Sequence, residues 1–119
     1  MEDKITTFKD LRVWQKGIEL VKEIYSTTKA FPRDEQYGLS SQMRRAAISI
    51  PANIAEGFRR RTPKDHRQFL TIALGSCAEM ETLAIIAREL NYIDTSAMNN
   101  IIGLLDHICG MTVNLSKKL

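Results

Sequence analysis

The run TPKDHRQFLTIALGSCAEMETLAIIAREL, residues 62–90, decides the fold. Thr62 is a competent helix cap, Pro63 suits the first helical position, and Asp65 favours the positive end of the helix dipole. From there Phe69, Ala73, Ser76, Met80, Leu83, Ala87 and Leu90 recur in alternating steps of four and three, the spacing that left-handed helical bundles bury. No strict apolar-polar alternation runs through it, so a half-buried strand is excluded.

The same periodicity recurs upstream and downstream. Leu39, Met43, Ala46 or Ala47, Ile50 and Ile54 mark a helix ending near Gly57. Pro51 lies inside it and predicts a kink, because an interior proline costs about 3 kcal/mol in an isolated helix and survives only when both flanks are packed. Further upstream, Leu11, Trp14, Ile18, Val21, Tyr25 and Thr28 predict a helix over about residues 8–30, stopped before Pro32. Thr7 and Asp10 resemble its capping box. Downstream, the cap-competent cluster Asp94-Thr95-Ser96 precedes Met98, Ile101 or Ile102, Leu105, Ile108 or Cys109, Thr112 and Leu115, a helix reaching about residue 116.

Short links around Pro32, Arg61 and Asn91 force sequence neighbours to run antiparallel. The chain therefore reads as all-α, an up-down-up-down four-helix bundle, one domain over residues 1–119. Its length of 119 residues, apolar fraction of 44% and charged fraction of 26% suit a globular fold that needs no staple. The N-terminus Met1-Glu2-Asp3-Lys4 is polar, and no stretch reads as approaching the roughly 18 to 20 apolar residues of a membrane span. A soluble, cytoplasmic protein is expected, with no membrane association. Cys77 and Cys109 lack any CxxC or histidine pairing and read as small core residues.

Enzyme signatures are missing. His66 and His107 are far apart, outside any HExxH pattern, so no metal site is expected. Neither a GxGxxG nor a GxxxxGK[ST] loop occurs, and no cofactor is expected. Ser40, Ser41, Ser49 and Ser76 show no triad arrangement. Glu56 could approach Glu79 across helices two and three, where paired carboxylates do acid-base work or bind metal. The Glu-x-x-His motifs of di-iron bundles are absent, which leaves hydrogen bonds or ion pairs as the default.

Charge is the informative feature. The net +3 is uneven: residues 44–67 carry +5 and the remainder −2. Candidate nucleic-acid-binding residues are Arg44, Arg45, Arg59, Arg60, Arg61, Lys64 and Arg67, the last five around the link between helices two and three. Two readings stand side by side: a solvated, well-capped turn, or a patch that neutralises phosphates. No recognition-helix, zinc-finger or aromatic single-strand motif decides between them.

Placing residues at steps of about 100° shows unexpected outer faces on two helices. Opposite the core lie Ser41, Ile48, Ala52 and Ala55 on helix two, and Thr71, Gly75, Ala78 and Thr82 on helix three, flanked by Ile85 and Ile86. Small and apolar outward residues let another helix approach closely, so a homo-oligomer is expected. The alternative is a module whose exposed Ile and Ala faces bind another protein partner.

Residues 44–57, Arg-Arg-Ala-Ala-Ile-Ser-Ile-Pro-Ala-Asn-Ile-Ala-Glu-Gly, closely resemble the 23S rRNA intervening-sequence proteins. Phe8-Lys9-Asp10-Leu11-Arg12-Val13-Trp14, Tyr37-Gly38-Leu39, Phe69-Leu70-Thr71-Ile72-Ala73, Gly75-Ser76 and Glu79-Met80-Glu81-Thr82 extend the resemblance over about residues 7–115. It implies a bundle that assembles as a ring-like homopentamer, similar in shape to accessory proteins that partner reverse transcriptases in diversity-generating retroelements. The family name implies that some members are encoded within insertions in large-subunit ribosomal RNA genes, and it assigns no activity. Among the motif's polar positions are Arg44, Arg45, Asn53, Glu56 and Arg60; for Asn53 and Glu56 the structural role would be to satisfy groups freed by the Pro51 kink. The chain departs from the usual pattern at Arg59, commonly a small residue, which enlarges the basic patch, and at Cys77, commonly a larger aliphatic.

Overall fold

Pro63 opens its helix as expected: the Thr62 hydroxyl accepts the Asp65 N–H at 3.1 Å. In the computed structural model, which describes residues 4–119, the helices are α1 (Arg12–Thr28), α2 (Leu39–Phe58), α3 (Pro63–Glu89) and α4 (Thr95–Lys117). Short 3-10 turns occupy Phe8–Asp10 and Arg33–Glu35, and no strand occurs among the described residues. The polar start Met1-Glu2-Asp3 lies outside them. Each helix packs on its sequence neighbour and α4 closes the bundle against α1. The result is an all-α four-helix bundle about 45 Å long.

The capping box at Thr7 is present, with the Asp10 carboxylate accepting the Thr7 N–H, yet it starts a 3-10 turn rather than the long helix. Leu11, extended at ψ 125° and buried, interrupts the two. At the far end of α3, Asn91 takes the left-handed conformation at φ 63°. Tyr92 N–H reaches Ala87 O at 2.9 Å and Asn91 N–H reaches Arg88 O at 3.0 Å, the paired bonds of a Schellman stop. Asp94 then caps α4 through the Ala97 N–H at 2.7 Å.

Leu20, Ile24, Met43, Ile50, Ile54, Leu70, Met80, Ile101, Leu105 and Ile108 fill the core. On α2 and α4 the expected stripes are the buried ones, apart from half-buried Met98, Leu115 and Cys109. On α1 the expectation holds at Leu11 and Thr28, which are buried, and is off by one residue between them. Ile18 and Tyr25 are each 38% exposed, while Val13, Gly17, Leu20, Ile24 and Thr28 face inward. Both stripes have the same spacing, and hydropathy favours the wrong one because Gly17 adds no apolar signal. Gly17 faces α2 because Pro51 occupies the space a side chain would need. On α3, Leu70 is fully buried beside half-buried Phe69, and Leu90 is 49% exposed, as a strict seven-residue repeat drifts around a straight helix.

α2 runs through Pro51 as one helix, with the proline buried. Asn53 Nδ2 donates to the Ser49 carbonyl at 2.7 Å and to the Ser49 hydroxyl at 2.9 Å, whereas the carbonyl that Pro51 leaves without its helical N–H is that of Ala47, so Asn53 does not fill the expected role. Glu56 does not fill it either, pairing with Arg60 instead.

One helix is more apolar than the sequence stretches lead one to expect. α3 contains an 18-residue window of mean hydropathy 1.5, long and apolar enough by composition to cross a membrane. In the bundle it lies between α2 and α4, with only 39% of that window buried. Its outer face is therefore apolar as well, exposing Ile72, Ile85 and Ile86.

Candidate nucleic-acid interface

The end of α2 and the start of α3 are drawn together by Gly57. A Cβ there would stand 3.0 Å from both His66 Cδ2 and Phe69 Cβ, and 3.1 Å from the His66 carbonyl oxygen. Any side chain there would have to push these neighbours back by a few tenths of an ångström, so the glycine keeps the helices close and brings Arg59, Arg60 and Arg61 beside Lys64 and Arg67. All five are exposed.

Three of the cations are anchored. The Arg59 guanidinium stands 5.3 Å from the Phe8 ring centroid, and that of Arg60 stands 4.5 Å from the Phe69 centroid while pairing with Glu56. Aromatic faces hold guanidinium planes without consuming their N–H donors. Arg67 Nη1 donates to the Leu119 carbonyl at 3.2 Å. Arg61 and Lys64 form no ion pair among the described residues. The surface thus presents five cations against two side-chain carboxylates, Glu56 and Asp65, with Arg59 and Arg60 seated on aromatic rings.

His66 lies under this surface, its ring edge-on to Phe58 at 6.4 Å. Its Nε2 is buried without a hydrogen-bond partner, and loss of solvation lowers its pKa below the ordinary 6.5.

Arg44 and Arg45 are not part of this patch. Fifteen residues of α2 separate Arg44 from Arg59, about 22 Å along the axis. Arg44 Nε donates to Thr28 Oγ1 at 2.8 Å and its guanidinium lies 4.4 Å from the Tyr25 ring centroid. Arg45 borders a cavity of about 300 Å³ between α2 and α3 with Gln42, Ser49 and Glu79.

The carboxylates Glu56 and Glu79 do not converge. The Ser49 and Ser76 hydroxyls meet at 2.8 Å, and this antiparallel register sets Glu79 beside Ala46 and Glu56 near Phe69. His107 shares the α1–α4 groove with Glu19 and Glu23, a proximity the linear spacing hides. No group of three His, Cys, Asp or Glu side chains gathers for a metal ion among the described residues. Cys77 is buried and Cys109 half-buried along one α3–α4 groove, and burial pushes the Cys77 thiol up to about 12.

The proposed interface residues sit on the outside. Ile48, Ala52, Thr71, Gly75, Ala78 and Thr82 are exposed, and Ser41 and Ala55 are half-buried. Thr71 and Thr82 turn their hydroxyls back to the carbonyls of Arg67 and Ala78, at 3.0 and 2.9 Å, so the hydroxyl donors serve their own helix.

With the bundle and its motif residues placed, comparison with protein families decides the relationship. The model described as 23S rRNA-intervening sequence protein matches residues 9–114. The chain belongs to that family. Its fold is also that of a crystal structure from Bacteroides thetaiotaomicron VPI-5482, a protein of unknown function from the S23 ribosomal protein family. That structure has 24% sequence identity and a TM-score of 0.81, and the match covers 88% of this chain and 98% of that one. Comparison with curated proteins gives no match.

The aromatic seats Phe8 and Phe69, the Arg67–Leu119 contact and the Thr28–Arg44 bond escape a sequence reading, since each joins residues of different elements that no local spacing pairs. Only the Glu56–Arg60 pair, at i and i+4, carries a local signal.

Proposed function

We propose that this member of the family is a non-enzymatic, cytoplasmic homo-oligomeric scaffold that binds structured RNA through the basic end of the bundle. The supporting observation is the set of five exposed cations, Arg59, Arg60, Arg61, Lys64 and Arg67, at one close-packed helix junction, two of them mounted on aromatic rings. Such a surface binds phosphates through charge and counterion release rather than by reading bases, so shape would dominate RNA selection. The family name is consistent with an RNA setting and supplies no target.

Self-association rests on the outer faces of α2 and α3. Gly75 sits mid-helix with nothing within 4 Å of a built Cβ, a position that costs about 1 kcal/mol relative to alanine and that no contact within the monomer explains. An oligomer would repeat the basic end and multiply phosphate affinity; a five-membered ring is the form expected. Light scattering at micromolar concentration tests assembly, and a monomeric mass contradicts it.

Gel-shift binding of structured RNA by the wild type and by the Arg59→Ala/Arg60→Ala/Arg61→Ala variant tests the site. Loss of binding in the variant supports the assignment, and unchanged affinity removes these residues from it. The rival reading, an interaction module for another protein, draws on exposed Ile48, Ile72, Ile85 and Ile86. Co-purification with and without nuclease separates the two.

A further inference from the structure

Arg44 is fixed by two neighbours that leave most of its donors unused. Thr28 is buried, gives its own proton to the Ile24 carbonyl at 2.7 Å, and accepts Arg44 Nε at 2.8 Å. The Tyr25 ring supports the guanidinium plane from 4.4 Å. An arginine has five N–H donors, of which Nε holds one. The other four lie on the Nη groups, which form no ion pair among the described residues.

These groups border a cavity of about 270 Å³ between the end of α1, the following link and the first turns of α2. Gln36, Ser40 and Arg44 contribute at four-residue spacing, which stacks the latter two along one face of α2. Lys29 and Arg33 add two more cations from the link, and no acidic side chain lines the space. Ser40 is only 6% exposed, and its hydroxyl makes no hydrogen bond with the described residues. It stands in the first turn of a 20-residue helix, where backbone N–H groups lack intrahelical acceptors and the dipole is positive.

The nearest anion, Glu35, takes the first N–H of α2 and leaves the following ones, at Ser40 and Ser41, to the cavity side. Glu35 accepts the Leu39 N–H at 3.1 Å and the Tyr92 hydroxyl at 2.8 Å, and it does not line the cavity.

We infer that this cavity is a phosphate-binding site, remote from the basic turn. Arg44 supplies a preset fork, Ser40 a hydroxyl donor beside the helix terminus, and Lys29 and Arg33 the neutralising charge. The phosphate could belong to a small phosphomonoester or to an RNA backbone, and the same donors serve both.

The test uses the full chain carrying Arg59→Ala/Arg60→Ala/Arg61→Ala, so that failure of the basic-turn reading cannot be confused with failure of this one. Inorganic phosphate is titrated to about 50 mM, fifty times a millimolar Kd, at constant ionic strength, and followed by amide and Arg Nε NMR shifts. Saturable shifts at Ser40, Ser41 and Arg44 are expected. Arg44→Gln or Ser40→Ala should weaken binding about tenfold, as expected when a charged hydrogen bond is lost. Arg33→Gln, on the exposed link, provides a variant that leaves the helix packing untouched and should also weaken it. Adenosine 5′-monophosphate and a short RNA without terminal phosphates then distinguish the sources: binding of the first assigns a monoester, of the second a backbone, and of neither a free phosphate. No saturable shift, or shifts unchanged in both Arg44→Gln and Arg33→Gln, overturns the site.

Discussion

Gly17 on α1 and Pro51 on α2 are matched across their interface: a Cβ on Gly17 would lie 3.0 Å from Pro51 Cβ and 3.3 Å from its Cδ. The rigid ring of an interior proline fills the notch left by a missing side chain. This contact explains how α2 carries a proline at its centre while remaining packed, and why α1 turns Gly17 rather than Ile18 inward.

Gly17→Ala should therefore destabilise the bundle despite the better helix propensity of alanine. Overpacking against a ring that cannot move aside costs about 1–3 kcal/mol, against a propensity gain of about 1. Chemical denaturation is expected to show a net loss of about 1 kcal/mol; a gain would mean that the α1–α2 contact yields.

The register of α1 predicts a second contrast. Ile24 is fully buried and Ile18 is 38% exposed. Ile24→Ala should cost about 2–4 kcal/mol, and Ile18→Ala less than about 1 if the monomer's contacts decide stability. Equal losses would show that the outer face of α1 is also covered in solution.

His66 makes stability depend on pH near neutrality. Its folded pKa lies below 6.5 because burial opposes the charged form, so the unfolded chain takes up a proton first. Its contribution is complete above pH 6.5 and is lost as pH falls through that value toward the folded pKa. Glu35 acts lower: hydrogen bonds from Leu39 N–H and Tyr92 hold its pKa below 4.5, so its stabilisation is present above 4.5 and lost as pH falls through the folded value. Denaturation midpoints between pH 7.5 and 5.5 should fall in the wild type and fall less in His66→Gln. Identical profiles would remove His66 as the cause.

The cysteines should react unequally. Cys77, with its thiol pushed up to about 12, should resist iodoacetamide at pH 8 in the native state, while half-buried Cys109 is modified first. Mass spectrometry of the partly labelled protein reads the order, and rapid labelling of Cys77 would contradict the burial.

Much of the bundle is legible in sequence because its signals are local. Thr62-Pro63-Asp65 starts α3, Asp94 caps α4, and the stripes of α2 and α4 face inward where their periodicity says. The register of α1 is not legible, because a glycine marks its core face and only Pro51, on another helix, explains why. For the candidate site, the concentration of charge is visible as composition, but its division into two ends is not. Arg44 and Arg59 belong to one charged fifth of the chain, and only the length of α2 separates them. Their partners Tyr25, Thr28 and Phe8 are contributed by other segments.

The central claim is that the five cations at the α2–α3 junction engage RNA phosphates. The most direct measurement is the salt dependence of RNA affinity for the wild type and for Arg59→Ala/Arg60→Ala/Arg61→Ala. Five neutralised phosphates predict a slope of log affinity against log salt of about −4 per subunit, falling to about −1.5 when two cations remain. A variant slope equal to that of the wild type would contradict the claim.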